Sequence, residues 1–332
     1  MAKVLILSLA PEDERSNSYY RGAFKRLRES AEHDIFQLHS LTDDPASADL
    51  ILFVEMGGVS PYYEEVRRHA YVKKFREKCF MFCQTDKPIA FFPGIYPSIE
   101  KSWYSKTRLR AGFYLSIEEN EFITFAPEIS DPLYLYSFIG AVNTSHIRQQ
   151  LNNIQHPRGF FHDTSKEGMP IRYNRNREEI LKFWKEFADI CQQSKFILCP
   201  RGTGASSIRL FESMKMGRVP VIISDEWVPP DGPDWHKFSL RIPEKDISKI
   251  PQILEKQEIH AIEMGLLARK QWEQWFSEEV CFHNVVEWCL DIKKGRKVPE
   301  TLMHYLVYIQ LLRPFHLRNY LRTKWYSFKN TK

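Results

Sequence analysis

Between Cys199 and Asp225 the chain reads CPRGTGASSIRLFESMKMGRVPVIISD, and its reactive residue types are grouped in a way that suits an anionic ligand. Gly202 and Gly204 fall where backbone must turn sharply or come close to a bound group. Arg201 and Arg209 flank the start of a short helical pattern, and a helix N-terminus carries unpaired N–H groups and partial positive charge. Ser206 and Ser207 are the candidate N-caps and add hydroxyls at the same point. A guanidinium fork fits phosphate oxygens. Glu212, three residues after Arg209, shares its helix face and could accept hydrogen bonds from a ribose diol, so a nucleotide is one reading. The same spacing also describes an exposed Arg209–Glu212 ion pair beside glycines that only make a turn.

Positioning such residues takes a strand, a loop, a helix and a second strand. Lys195 to Cys199 is short, apolar and aromatic, which suits a buried parallel strand. Ile208 to Met216 carries the helical pattern, Gly217 ends it, and Val219 to Ser224 is the next strand. One parallel crossover unit is therefore written in about thirty residues.

This segment resembles the donor-binding region of exostosin-family glycosyltransferases. The resemblance rests on Cys199-Pro-Arg-Gly202, Ser207-x-Arg209, Glu212, Gly217-x-x-Pro220-Val221 and Ser224-Asp225, and more loosely on Tyr134 to Arg148 and the stretch around Asp86. It implies an α/β fold of GT-B type, two Rossmann-like lobes with parallel sheets facing across a cleft, and inverting transfer of a sugar from a nucleotide sugar, commonly UDP-linked. By the same resemblance Glu212 holds the ribose. The expected division is an acceptor-side lobe over residues 1–130, a nucleotide-sugar-binding lobe over 131–300 and a basic aromatic tail over 301–332.

The rest of the chain is consistent with that plan. With 332 residues, 43% hydrophobic and 27% charged, it has room for two domains of ordinary size and no general signature of disorder. A net charge of +5 accommodates a phosphorylated ligand, and the basic residues do not gather on one aromatic-spaced stripe as a nucleic-acid binder would require. Cys79, Cys83, Cys191, Cys199, Cys281 and Cys289 form no C-x-x-C pair and no zinc-finger spacing, as expected of reduced, buried thiols. VLILSLA near the start is too short for a signal-peptide core or a membrane span, which suits a cytoplasmic enzyme of bacterial type rather than an anchored one.

Strands are expected at Val4 to Leu9, Asp34 to Leu38, Ala48 to Val54, the CFMFCQTDKP run whose last residues include Asp86, and LYLYSFIGA. Helices are expected at Tyr20 to Ala31 and Glu64 to Lys78. Residues 126–132, APEISDP, read as the hinge. After Gly140, Asn143-Thr144-Ser145 cap a helix that carries His146 and Arg148, which makes Arg148 a further phosphate candidate or a surface helix residue.

Inverting glycosyl transfer needs the departing diphosphate neutralised and a base on the acceptor hydroxyl. The first task falls to Arg201, Gly202, Gly204, Ser206, Ser207 and Arg209. No Asp-x-Asp sequence occurs, so the sequence requires neither a metal nor another cofactor beyond the nucleotide-sugar substrate. Asp86 is the first candidate base and Glu55 the second, because each ends an apolar strand where ligands of open α/β sheets bind. His69 and His162 are weaker candidates, and Asp225 with Glu226 could reach donor-sugar hydroxyls or simply form an acidic loop.

The acceptor expected is a glycan or lipid-linked glycan of surface polysaccharide or lipopolysaccharide synthesis. The alternative is an inactive nucleotide- or glycan-binding partner in a synthesis complex. Residues 301–332 hold six Lys or Arg and no Asp or Glu, so the tail could lie on an anionic membrane surface or pack back as a terminal helix.

Overall fold

The structure, a computed structural model, describes residues 1–10, 21–56, 61–115, 120–127, 131–166 and 177–330. It contains two α/β units, each built on a parallel sheet. The first holds β1 (Ala2–Leu7), β2 (His39–Leu41), β3 (Leu50–Glu55), β4 (Cys79–Cys83), β5 (Gly94–Tyr96) and β6 (Leu109–Ala111) in the order β2-β1-β3-β4-β5-β6. Leu-Ile-Leu-Phe-Val-Glu of β3 and Cys-Phe-Met-Phe-Cys of β4 are buried along their whole length. Unbroken apolar runs of this kind belong to strands covered on both faces. Gly94 sits at φ +145, where a Cβ would stand 2.0 Å from the Met81 carbonyl oxygen, so β5 can pair with β4 there only as glycine.

Helix α1 (Gly22–Glu32) follows the expected amphipathic pattern. Two expectations in this unit fail for local reasons. Asp34 to Leu38 is not a strand: Asp34 Oδ1 accepts the Phe36 N–H at 3.2 Å and Gln37 takes φ 51, so the chain turns and pairing begins only at His39. Glu64 to Lys78 is not one helix. It divides into α2 (Glu64–Arg68), α3 (Ala70–Phe75) and a 3₁₀ turn, because His69 leaves helical geometry at ψ 144 and its Nδ1 accepts the Tyr71 N–H at 3.2 Å. His69 is thus a helix cap, which accounts for a residue first considered as a base.

The second unit holds β7 (Tyr134–Gly140), β8 (Gly159–Asp163), β9 (Ser194–Pro200), β10 (Val219–Ile223) and β11 (Leu240–Arg241), in the order β11-β10-β9-β7-β8 and parallel throughout. Around it lie α4 (His146–Leu151), α5 (Arg177–Gln192), α6 (Ile208–Lys215), α7 (Ile250–Gln257) and α8 (Ala261–Trp275). Leu135, Phe138, Phe196, Leu198, Val221 and Ile250 are among the residues of one apolar core between sheet and helices. Pro251 lies in the first turn of α7, where its missing N–H costs nothing.

The partition between units differs from the expected 131–300 second lobe. Residues 98–103 and 119–277 make up the second unit, while 278–332 return to the first. The return is specific. Helix α9 (Glu278–Gly295) lies against α1, with Ser30 Oγ donating to the Glu278 carbonyl and accepting the Phe282 N–H at 2.9 Å. Helix α10 (Glu300–Val307) brings Glu300 into a buried pair with Arg108. Helix α11 (Pro314–Asn330) is held where Tyr62 donates to the His316 carbonyl at 3.0 Å. Residues 128–130 of the expected hinge lie outside the described residues. All six cysteines are buried and unbridged.

Candidate functional site

The loop of residues 201–207 joins β9 to α6, and its backbone is fastened on several sides. The Arg201 N–H donates to the Ile223 carbonyl of β10 at 3.0 Å, while the Arg201 carbonyl accepts from Ser145 Oγ at 2.9 Å and from Arg148 Nε at 3.2 Å. Ser98 Oγ accepts the Ser206 N–H at 3.2 Å, and Ser224 Oγ donates to the Ala205 carbonyl at 2.7 Å. A loop tied at each end and in its middle holds its remaining donors in fixed directions, as preorganised anion recognition requires.

Ser207 stands at the N-cap position of α6 but makes no side-chain capping bond. The hydroxyls of Ser206 and Ser207 are both buried without a hydrogen-bond partner, although the residues are only 6% and 5% exposed. Two orphan hydroxyls at the start of one helix are costly unless something outside the chain satisfies them. Ser207 thus takes the expected N-cap position, but neither hydroxyl is used for capping.

Arginines gather at the same end of the sheet. Arg209, in the first turn of α6, donates from Nε to the Ile139 carbonyl at 2.6 Å, and its guanidinium lies 5.3 Å from the Phe138 ring centroid. Arg148 lies 5.8 Å from the same centroid and is buried. Helix α4, capped by Ser145 as expected, carries Arg148 into the core side of the loop, where Nη1 donates to the Ala141 carbonyl and Nη2 to the Pro200 carbonyl. Arg148 therefore binds three backbone carbonyls and shapes the loop, which rules out the alternative of a surface residue. Glycine leaves room for both arginines: a Cβ at Gly140 would lie 2.2 Å from Arg209 Nη2 and displace that guanidinium, and one at Gly202 would lie 3.0 Å from Arg148 Nη2.

Glu212 is half-buried on α6. Its charge raises the Cys191 and Cys199 thiols, already pushed up by burial, while Arg209 opposes it at both. Cys199 reaches about 12 and is inert packing rather than a nucleophile. Gly204 is buried within the loop. Arg201 is drawn to Glu244, whose Oε1 lies 3.6 Å from Arg201 Nε and accepts the Asp225 N–H at 3.1 Å. Asp225 Oδ1 accepts the Glu244 N–H at 3.2 Å in return.

Glu244 and Arg241, absent from the sequence reading, thus organise the loop after β10. One Arg241 nitrogen donates to the carbonyls of Ser224, Asp225 and Trp227. Neither belongs to the motif run, and only the three-dimensional return of β11 beside β10 brings them there. Glu226, by contrast, spends Oε2 on the Ser102 N–H at 3.0 Å.

Residues 129–257 match the family model of the Exostosin GT47 domain. This segment is an Exostosin GT47 domain. Its motif loop, α6 and β10 all fall inside the matched range. Among curated relatives, the Exostosin-1 homolog of Caenorhabditis elegans is 37% identical over 71 residues, covering 21% of this chain and 19% of that protein. A probable glucuronosyltransferase of Oryza sativa subsp. japonica is 30% identical over 120 residues, 35% of this chain and 28% of its own length. The chain thus spans less than a third of these relatives. A crystal structure of Anabaena Alr3699/HepE in complex with UDP superposes with a TM-score of 0.38 at 8% identity, over 86% of this chain and 99% of that one.

Outside the GT47 domain, the first unit carries the two candidate bases. β3 and β4 pair with Glu55 opposite Cys83, so Glu55 and the segment leading to Asp86 leave the sheet at one edge. Asp86 is exposed and accepts the Tyr114 hydroxyl at 3.2 Å. Glu55 is 3% exposed, accepts the Leu9 N–H at 2.6 Å, and is raised by burial to about 7, with the Leu9 and Ser8 donors pulling the other way. Burial and the Leu9 N–H thus set Glu55 apart from the exposed Asp86.

The sign of this shift fixes a pH test. A carboxyl raised from 4.5 to about 7 on folding adds stability below pH 4.5, and that contribution is lost as pH rises through about 7. Glu55→Gln cannot titrate. Its stability should therefore gain on the wild type between pH 5 and pH 8, read from urea unfolding midpoints at both values. A difference that does not change with pH would show that Glu55 ionises normally.

Proposed function

We propose that the GT47 domain holds the diphosphate of a nucleotide sugar at the loop of residues 201–207 and the N-terminus of α6, and that the chain is an inverting glycosyltransferase. The observation that carries this reading is the pair of buried, unpartnered hydroxyls of Ser206 and Ser207 at a helix start beside Arg201 and Arg209. Phosphate oxygens accept hydrogen bonds, carry negative charge and suit a helix N-terminus, so one ligand answers all three features. Arg201 and Arg209 neutralise charge as the diphosphate departs, Glu212 holds the ribose, and Asp225 approaches the donor sugar. Glu55 takes the acceptor proton. The names of the relatives, exostosin and probable glucuronosyltransferase, agree with sugar transfer.

UDP is the first nucleotide to try, followed by GDP and CMP, each alone and as its sugar. Stabilisation by a ligand grows with the logarithm of its excess, reaching about 2.7 kcal/mol at a hundredfold over Kd. One nucleotide should therefore raise the Tm of the full chain, and Ser206→Val with Ser207→Val should abolish the rise. No response to any of the three would refute a nucleotide site.

The acceptor we propose is a glycan of surface polysaccharide or lipopolysaccharide synthesis, presented on a lipid. Support comes from the tail. One side of α10 and α11 is anchored on the first unit through Tyr62 and through Arg67, which donates to the Tyr308 hydroxyl at 2.8 Å. The same helices and the 3₁₀ stretch Tyr308–Leu312 between them expose Leu302, Leu306, Ile309, Leu312, Leu321 and Trp325, together with Arg318 and Arg322. Among the described residues no helix is long and apolar enough to cross a membrane. An apolar face with arginines and no acid suits an anionic interface, at about 1 kcal/mol per basic residue near the surface. The chain should sediment with vesicles containing phosphatidylglycerol and release in high salt. Equal binding to pure phosphatidylcholine, or none to either, removes the membrane contact from the proposal.

A further inference from the structure

The first unit brings together three metal-ligating side chains that neither the GT47 match nor the proposed chemistry uses. His39 opens β2, and His283 and Glu287 lie one turn apart on α9, so both project from the same helix face. One ligand atom from each lies within 4.8 Å of the other two. His39 is buried, its side chain 1% exposed, and yet neither ring nitrogen has a hydrogen-bond partner. Its Nε2 stands 3.0 Å from Glu287 Oε1 but out of hydrogen-bond line. His283 Nδ1 is likewise buried and unpartnered.

Histidine rarely leaves ring nitrogens buried and unsatisfied, because the lost hydrogen bonds to water are not replaced. An ion between the three groups would satisfy them together. Two ligands of a tetrahedral zinc ion, each about 2.0–2.1 Å from the metal, stand about 3.3 Å apart, close to the His39–Glu287 separation. The rings are also fixed in place. Phe36 stacks on His283 with centroids 4.1 Å apart, and Phe282 meets His39 edge-on at 6.4 Å. Asp34, at the start of the turn that ends in His39, keeps a buried Oδ2 with no partner, so a further acceptor lies in the segment beside the cluster.

We propose that His39, His283 and Glu287 form a zinc site that joins the edge strand β2 to the returning helix α9, with a water as fourth ligand. Two imidazoles and one carboxylate match the donor preference of zinc. The role is structural. Among the described residues β2 pairs over three residues with β1 alone, and the ion would tie this short edge to a helix from the returning segment 278–332. The N–H of Ile35 already donates to the Glu279 carbonyl at 3.1 Å across the same contact, so the ion would reinforce an existing docking surface.

The test uses the full, untagged chain, stripped with chelator and titrated with Zn²⁺, with Co²⁺ as a spectroscopic probe. About one equivalent of zinc should be retained after dialysis, Tm should rise with zinc, and Co²⁺ should give the visible bands of a four-coordinate N/O site. His39→Gln and His283→Gln should each weaken zinc binding by more than the roughly 10–100-fold that loss of an outer partner costs. His260→Gln, at an exposed histidine elsewhere, should leave it unchanged. Absence of stoichiometric zinc in the wild type overturns the proposal, as does equal retention in the His39 and His283 variants. Because the readouts are metal content, spectrum and Tm, failure of the nucleotide site would leave this result untouched.

Discussion

Arg209→Ala should lower turnover of the nucleotide sugar by about 10²–10³-fold, the usual loss when one preorganised donor to developing charge is removed. Three features single out this arginine. It lies in the first turn of α6, beside the orphan hydroxyls of Ser206 and Ser207. Its Nε is committed to the Ile139 carbonyl and its guanidinium lies over Phe138, so it is held before a ligand arrives. Gly140 leaves the room it occupies. A preset side chain loses little rotamer freedom on binding, which concentrates its effect on the transition state. Arg209→Lys should recover only a small part of the activity, since an ammonium keeps the charge but not the planar fork. Comparing kcat and kcat/KM separates the roles: equal losses in both mean that the interaction is made at the transition state. Turnover of Arg209→Ala within twofold of wild type would remove the arginine from the mechanism.

The largest effect on stability is expected at Glu300, in the first unit. Arg108 donates from Nε to Glu300 Oε2 at 3.1 Å and from Nη2 to Oε1, and also to the carbonyls of Ala90 and Phe91. The two side chains are 10% and 2% exposed. Glu300→Ala would strand a buried guanidinium, and breaking one side of a buried pair costs about 3–5 kcal/mol. The corresponding fall in Tm is about 2–4 °C per kcal/mol in a domain of 150–250 residues. Arg108→Met with Glu300→Leu should recover most of the loss, because a well-packed apolar replacement is often neutral. A Glu300→Ala protein that melts within 2 °C of wild type would mean that the pair is solvated in solution.

How much could be read from residues alone follows sequence distance. The β9–α6–β10 unit was legible because its signals are local: an apolar run, a glycine loop, and Gly217 ending the helix. β3 and β4 were legible as unbroken apolar runs. Asp34 to Leu38 reads as a strand because Ile35, Phe36 and Leu38 make it short and apolar, whereas an Asp side chain and a positive φ at Gln37 turn the chain instead. Arg148 was found by motif, but its three carbonyl partners come from two different strand ends. Glu244, Arg241 and the His39–His283–Glu287 cluster left no local signature, since each works through a neighbour supplied by sheet order or by the return of residues 278–332.

That return also sets an order of events during synthesis. Residues 119–277 can complete their sheet and core as soon as they have left the ribosome, whereas the half that contains the first strand waits for α9 and for Glu300, which Arg108 needs as its partner. Domains generally fold as they emerge, the earlier one first. Here the later-made half should become protease-resistant before the earlier one does, and nascent chains stalled shortly after residue 277 would expose to chaperones an amino-terminal sheet that α9 does not yet cover.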